Sequence, residues 1–187
     1  MRAATGWLLA LLAAGCSGAA MKQEKVGGHV FNLPEQALEE ENVFFLPKDD
    51  SDGLYFVLGS ETAPAEQVRV IVGTTEKFCN FNTPPVIDQV PRACAVAKGQ
   101  APQPKTGRLT RVARSAGATV SRYVYKGEDG GVAVSCRSEE GQSGSCSATF
   151  AWRDLVWDAT FDEQWVPRLD ELRATVAKRL DEWSGDA

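Results

Sequence analysis

The chain is poor in the residues that do chemistry. It has one histidine, His29, in 187 residues. A Ser-His-Asp triad would have to use that residue, and no nucleophile motif accompanies it. Gly141-Gln142-Ser143-Gly144-Ser145 sets a serine among glycines, but at the wrong spacing for a nucleophile elbow. A transition-metal site draws on several imidazoles or closely spaced thiolates, and neither is present. Glycine-rich phosphate loops are absent. Asp50-Ser51-Asp52-Gly53 hints at a calcium loop, yet Lys48 holds the first ligand position and Gly59 the last. Glu39, Glu40 and Glu41 could serve a carboxylate-based hydrolase, but three acids on one short segment read as a solvated face. The composition therefore predicts no enzyme and no cofactor.

Long apolar runs are also missing. The stretch Trp7–Ala14 is apolar but shorter than the roughly 20 residues a spanning helix needs. It follows Arg2 and ends in Ala13-Ala14-Gly15-Cys16, so residues 1–15 have the parts of a secretion signal. The small residues before the cysteine resemble the lipobox of bacterial lipoproteins. That resemblance implies cleavage before Cys16 and lipidation of its thiol and new amino group, with palmitate among the acyl chains. Several acyl chains give lasting membrane anchorage. By the same resemblance Ser17, where an aspartate would favour the inner membrane, implies the outer membrane facing the periplasm. Residues 16–27 are polar, small and without periodicity. They read as the lipidated cysteine and a flexible tether, leaving 28–187 as a single periplasmic domain.

Four further cysteines, Cys79, Cys94, Cys136 and Cys146, make an even set in an exported chain, which predicts two disulfides. Three pairings are open. The local one, Cys79–Cys94 with Cys136–Cys146, is favoured by register. If Val132–Arg137 and Cys146–Trp152 form a hairpin with Cys136 opposite Cys146, then Val134 meets Ala148 and Val132 meets Phe150 on one side.

Alternating residues predict strands at Val30–Phe31, Gln67–Val72, Arg108–Arg114, Thr119–Lys126, Val132–Arg137, Cys146–Trp152 and Leu155–Phe161. Asn42–Leu46 and Leu54–Leu58 read as a hairpin across a turn-rich loop. Pro34–Glu41 fits one or two helical turns capped by Asn32. Asn80–Lys105, rich in proline, reads as a disulfide-pinned excursion. Leu169, Leu172, Val176, Leu180 and Trp183 follow helical spacing, with Asp170 and Glu171 near the start. The fold class expected is α+β: an antiparallel sheet with a C-terminal amphipathic helix packed on it.

Charge is segregated. The chain carries a net charge of −5, yet residues 89–127 contain no acid and eight bases. On a strand, Arg108 and Arg114 share one face and Arg111 the other. With Arg122 they are the candidate partner-binding residues, since arginine grips carboxylates and phosphates bidentately. Internal pairing with the acidic thirds of the same domain is the competing account. Nucleic acid does not fit this compartment or this net charge.

Gly28-His29-Val30-Phe31-Asn32-Leu33-Pro34, Phe44-Phe45-Leu46-Pro47 and Asp52-Gly53-Leu54-Tyr55-Phe56-Val57-Leu58 resemble uncharacterised lipoproteins encoded beside secreted antibacterial effectors, some of them immunity proteins. The resemblance implies a membrane-anchored inhibitor that neutralises a toxin in the periplasm; the arginines imply an acidic surface on that protein partner, and the domain is expected to be a monomer. A structural or assembly lipoprotein of the cell envelope is the alternative.

Overall fold

A computed structural model describes residues 20–38, 53–59, 62–79, 89–116, 120–127 and 130–185, with backbone only at 89 and 113–116. Strands β1 (Met21–Val26) and β2 (His29–Pro34) form a hairpin. A seven-stranded antiparallel sheet follows: β3 (Gly53–Leu58), β4 (Val68–Thr74), β5 (Leu109–Ala116), β6 (Val120–Gly127), β7 (Ala133–Glu139), β8 (Ser145–Trp152) and β9 (Leu155–Asp162). Its spatial order is β3-β4-β9-β8-β7-β6-β5. From β5 to β9 each strand pairs with its successor, a meander that needs only short turns. Helices α1 (Thr75–Cys79), α2 (Gln89–Ala97) and α3 (Leu169–Trp183) complete the chain. The α+β class, the C-terminal helix and both local disulfides, Cys79–Cys94 and Cys136–Cys146, are as the sequence predicts.

One face of the sheet carries the core. Leu54, Phe56, Val70, Val72, Ala148, Phe150, Leu155, Trp157 and Phe161 project from it and are buried. The stripe Leu169, Leu172, Val176, Leu180 and Trp183 of α3 packs against them, with Trp183 edge-on to Phe56 at 4.9 Å. Each such side chain withdrawn from water stabilises by about 1.5–3 kcal/mol. Val26, Phe31 and Leu33 of the β1–β2 hairpin are fully buried in the same cluster. Phe31 bridges Ser184, and the Gly185 N–H donates to the Val30 carbonyl at 3.1 Å, so the hairpin and the end of α3 are tied together.

The register at the second disulfide follows the sequence argument: Cys136 lies opposite Cys146 and Ser135 opposite Ser147, with Val134 and Ala148 both buried beside them. Three expectations need correction, and a fourth rests on residues outside those described. The tether does not run to residue 27, because Met21–Val26 is a strand paired residue for residue with β2 and Val26 is fully buried. Leu54–Leu58 pairs with β4; its expected partner, Asn42–Leu46, lies outside the described residues. The helical turns after Pro34 shrink to a 3-10 turn at Glu35–Ala37, and Asn32 pairs across the hairpin instead of capping it. The excursion 80–105 contains α2, whose Ala93, Cys94 and Ala97 pack on Ala151 and Val156 of the other sheet face. Pro91 is tolerated there because a first-turn N–H has no helical acceptor.

Candidate functional site

The two faces of the sheet offer two polar sites. On the core face, at the β5–β6 edge, Tyr123 and Tyr125 alternate on one side of β6 and both hydroxyls donate to the Glu163 carboxylate. Glu163 is held there by a 3-10 turn, Glu163–Arg168, whose first residues are capped by Asp162 accepting from the Gln164 N–H at 3.0 Å. The Arg111 guanidinium stacks 3.6 Å over the Tyr123 ring and lies 3.9 Å from Glu163. Burial pushes the Glu163 carboxyl up, but the hydrogen bonds from the two tyrosines and the charge of Arg111 together outweigh it and hold the group below its usual range. Burial, then the same carboxylate, pushes Tyr125 up to about 12. Gly144 sits so close that a Cβ there would run into the Tyr123 hydroxyl and lie 2.7 Å from Glu163 Oε2. Beside the cluster opens a cleft of about 600 Å³ lined by Thr106, Arg108, Tyr125 and Asp170, where the Thr106 hydroxyl donates to Asp170.

Among the described residues, the opposite face is capped by α1 and α2 only over one end of the central strands. Beyond them the pairing lays out cross-strand rows. One row runs Val124, Ser135, Ser147, Thr160, Arg69 and Val57. The row next to it runs Arg122, Arg137, Ser145 and Asp162. Together they bound a shallow groove of about 520 Å³ floored by small hydroxyl side chains. Arg122 and Arg137 stand directly opposite each other and both are exposed. Toward the helices, Asp158 accepts from the Thr149 hydroxyl at 2.8 Å, and burial pushes its carboxyl up to about 6.

The four candidate arginines do not form one patch. Arg111 is engaged on the core face with Tyr123 and Glu163 while remaining half exposed. Arg108 borders the cleft beside it, Arg122 lies on the opposite face, and the Arg114 side chain lies outside the described residues, as does Cys16. Arg137 was missed because its own stretch is acidic. Counting outward from a turn at 127–131 sets Arg122 opposite Cys136, one residue short of the observed register, in which Arg122 faces Arg137. His29 contacts Asp154 at 2.6 Å and meets the edge of Trp152, a structural junction between the hairpin and the β8–β9 turn. Among the described residues no group of three or more His, Cys, Asp or Glu gathers as a metal site, and no helix is long and apolar enough to cross a membrane.

No protein-family model matches the sequence, and no curated protein matches it. Among solved structures, the fold is similar to that of an immunity protein of the Stenotrophomonas maltophilia type IV secretion system. The TM-score is 0.51 over 90% of this chain and 94% of that one, at 12% identity.

Proposed function

We propose that this chain is a lipid-anchored periplasmic immunity protein: Cys16 is acylated, and the domain binds and neutralises a secreted toxin. The observation that carries the reading is the shared fold, which spans nearly the whole of both chains and belongs in the other case to an immunity protein of a secretion system. The lipobox-like Ala13-Ala14-Gly15-Cys16 supports the anchor. Two disulfides support an oxidising compartment. The broad sheet, partly uncapped among the described residues, suits protein binding, where rigid surfaces lose little entropy on association.

The test is protection. If an effector gene is found beside this one, its product, directed to the periplasm of a sensitive strain, is the toxin candidate. Co-expression of the full-length chain should restore growth, and Cys16→Ala should lose both palmitate labelling and part of the protection. Continued killing despite abundant, exported full-length protein would sink the immunity reading. An envelope defect on deletion without any effector present would favour an assembly role in its place.

A further inference from the structure

The face of the sheet that the described residues leave partly uncapped carries an arrangement that folding alone does not account for. Arg122 on β6 and Arg137 on β7 are a directly opposed pair, which brings their Cβ atoms to about 5 Å. Like charges so placed destabilise a sheet. The relief offered within the domain is slight: Glu139 approaches Arg137 at 3.6 Å, and both side chains are more than half exposed. Among the described residues no acid pairs with Arg122. Beside the two guanidiniums the groove floor is Ser135, Ser145, Ser147 and Thr160, short hydroxyls that donate or accept and leave room above them. Arg111 differs, since its guanidinium already stacks on Tyr123 and faces Glu163.

We infer that this groove is the surface that receives the partner, and that it receives a carboxylate-bearing loop of a protein, with Arg122 and Arg137 converging on one acid and the hydroxyl row holding the backbone beside it. A carboxylate set between the arginines converts their repulsion into two charge-assisted contacts. The surrounding domain is net acidic, so an acidic partner is admitted at this point and repelled elsewhere. That is how charge fixes register and selects partners. The inference takes the protein partner from the proposed function and adds where it docks and by what chemistry.

The first test needs no toxin. A hexaglutamate peptide is titrated into the periplasmic domain beginning at Ala20, with amide chemical shifts followed by NMR. Shifts are expected along β6, β7 and β8, fading with salt and lost in Arg122→Ser/Arg137→Ser. Because the pair repels, the double variant, like each single one, should melt at or above wild type, so lost binding cannot be ascribed to unfolding. Shifts confined to the cleft near Arg108, or stronger competition by phosphatidylglycerol vesicles than by the peptide, would overturn the inference. In the second arm, with an effector against which wild type protects in the test above, the double variant should bind roughly 10- to 100-fold more weakly, while Arg179→Ser on α3 leaves affinity unchanged. If wild type does not protect, the immunity reading fails. If wild type and the double variant protect and bind alike, that reading stands and the docking inference falls.

Discussion

Asp158 makes the folded state prefer acid. Its carboxyl has an ordinary pKa of 3.8 and is raised to about 6 by burial, with the Thr149 hydroxyl offsetting only part of the cost. Below about pH 4 the group is protonated in both states and folding loses nothing. Between about pH 4 and 6 the unfolded chain releases the proton while the folded chain keeps it, so stability falls as pH rises, and above 6 the full penalty applies. Asp158→Asn keeps the Thr149 contact and removes the charge. It should raise the unfolding free energy from urea titration at pH 7.5 by about 1–2 kcal/mol, less than the nearly 3 kcal/mol that two pKa units represent, and change little at pH 3. Glu163 is the opposite case, a carboxylate whose tyrosine donors favour its charged form. The alternation of Tyr123 and Tyr125 was legible in the sequence as one face of a strand. Their acceptor forty residues later was not, because nothing local to Glu163 marks it.

At the scale of elements, two kinds of signal were readable and one was not. The α3 stripe and the alternating strands repeat over several turns or pairs, so the pattern survives isolated exceptions. The Cys136–Cys146 hairpin was legible because a covalent link and a hydrophobic register agree. Cross-linking a loop of ten residues stabilises by about 3 kcal/mol in the chain-entropy account. Cys136→Ser/Cys146→Ser should lose about that much in denaturant titration and weaken the β7–β8 ladder first, seen as faster amide exchange at Ser135 and Arg137. What failed were short elements held by tertiary contact. The helix α2 buries alanines and a cystine, which carry little hydrophobic contrast. In β1, Met-Lys-Gln-Glu-Lys-Val offers a single buried residue, Val26. Its place is set by the hairpin and by Ala20, whose carbonyl accepts from the Glu35 N–H at 2.8 Å. A domain begun at Gly28 loses the β1 pairing and uncovers Phe31 and Leu33. It should melt well below one begun at Ala20 when the two are compared by circular dichroism.

For the molecule as a whole, the α+β class and the pairing of β7 with β8 followed from the sequence, and the structure adds the meander that links the later strands through short turns such as Arg153-Asp154. The partner surface did not. Charge along the chain drew attention to residues 89–127, but pleating divides that stretch between two faces, and Arg122 finds its neighbour, Arg137, in an acidic stretch outside it. Linear charge shows that a basic region exists, and strand register decides which charges meet. The β1 strand also sets the geometry of attachment. Cys16 is four residues from Ala20, a reach of about 14 Å at full extension, where a tether to residue 27 would have allowed about 40 Å. The hairpin that begins there packs on the core face beside α3. A lipid on Cys16 would therefore hold the domain on a short leash by its covered side, with the arginine-bordered groove on the reverse. Held so, the domain samples only a thin layer next to the bilayer, and an incoming protein meets it there at a concentration set by membrane area more than by the volume of the compartment.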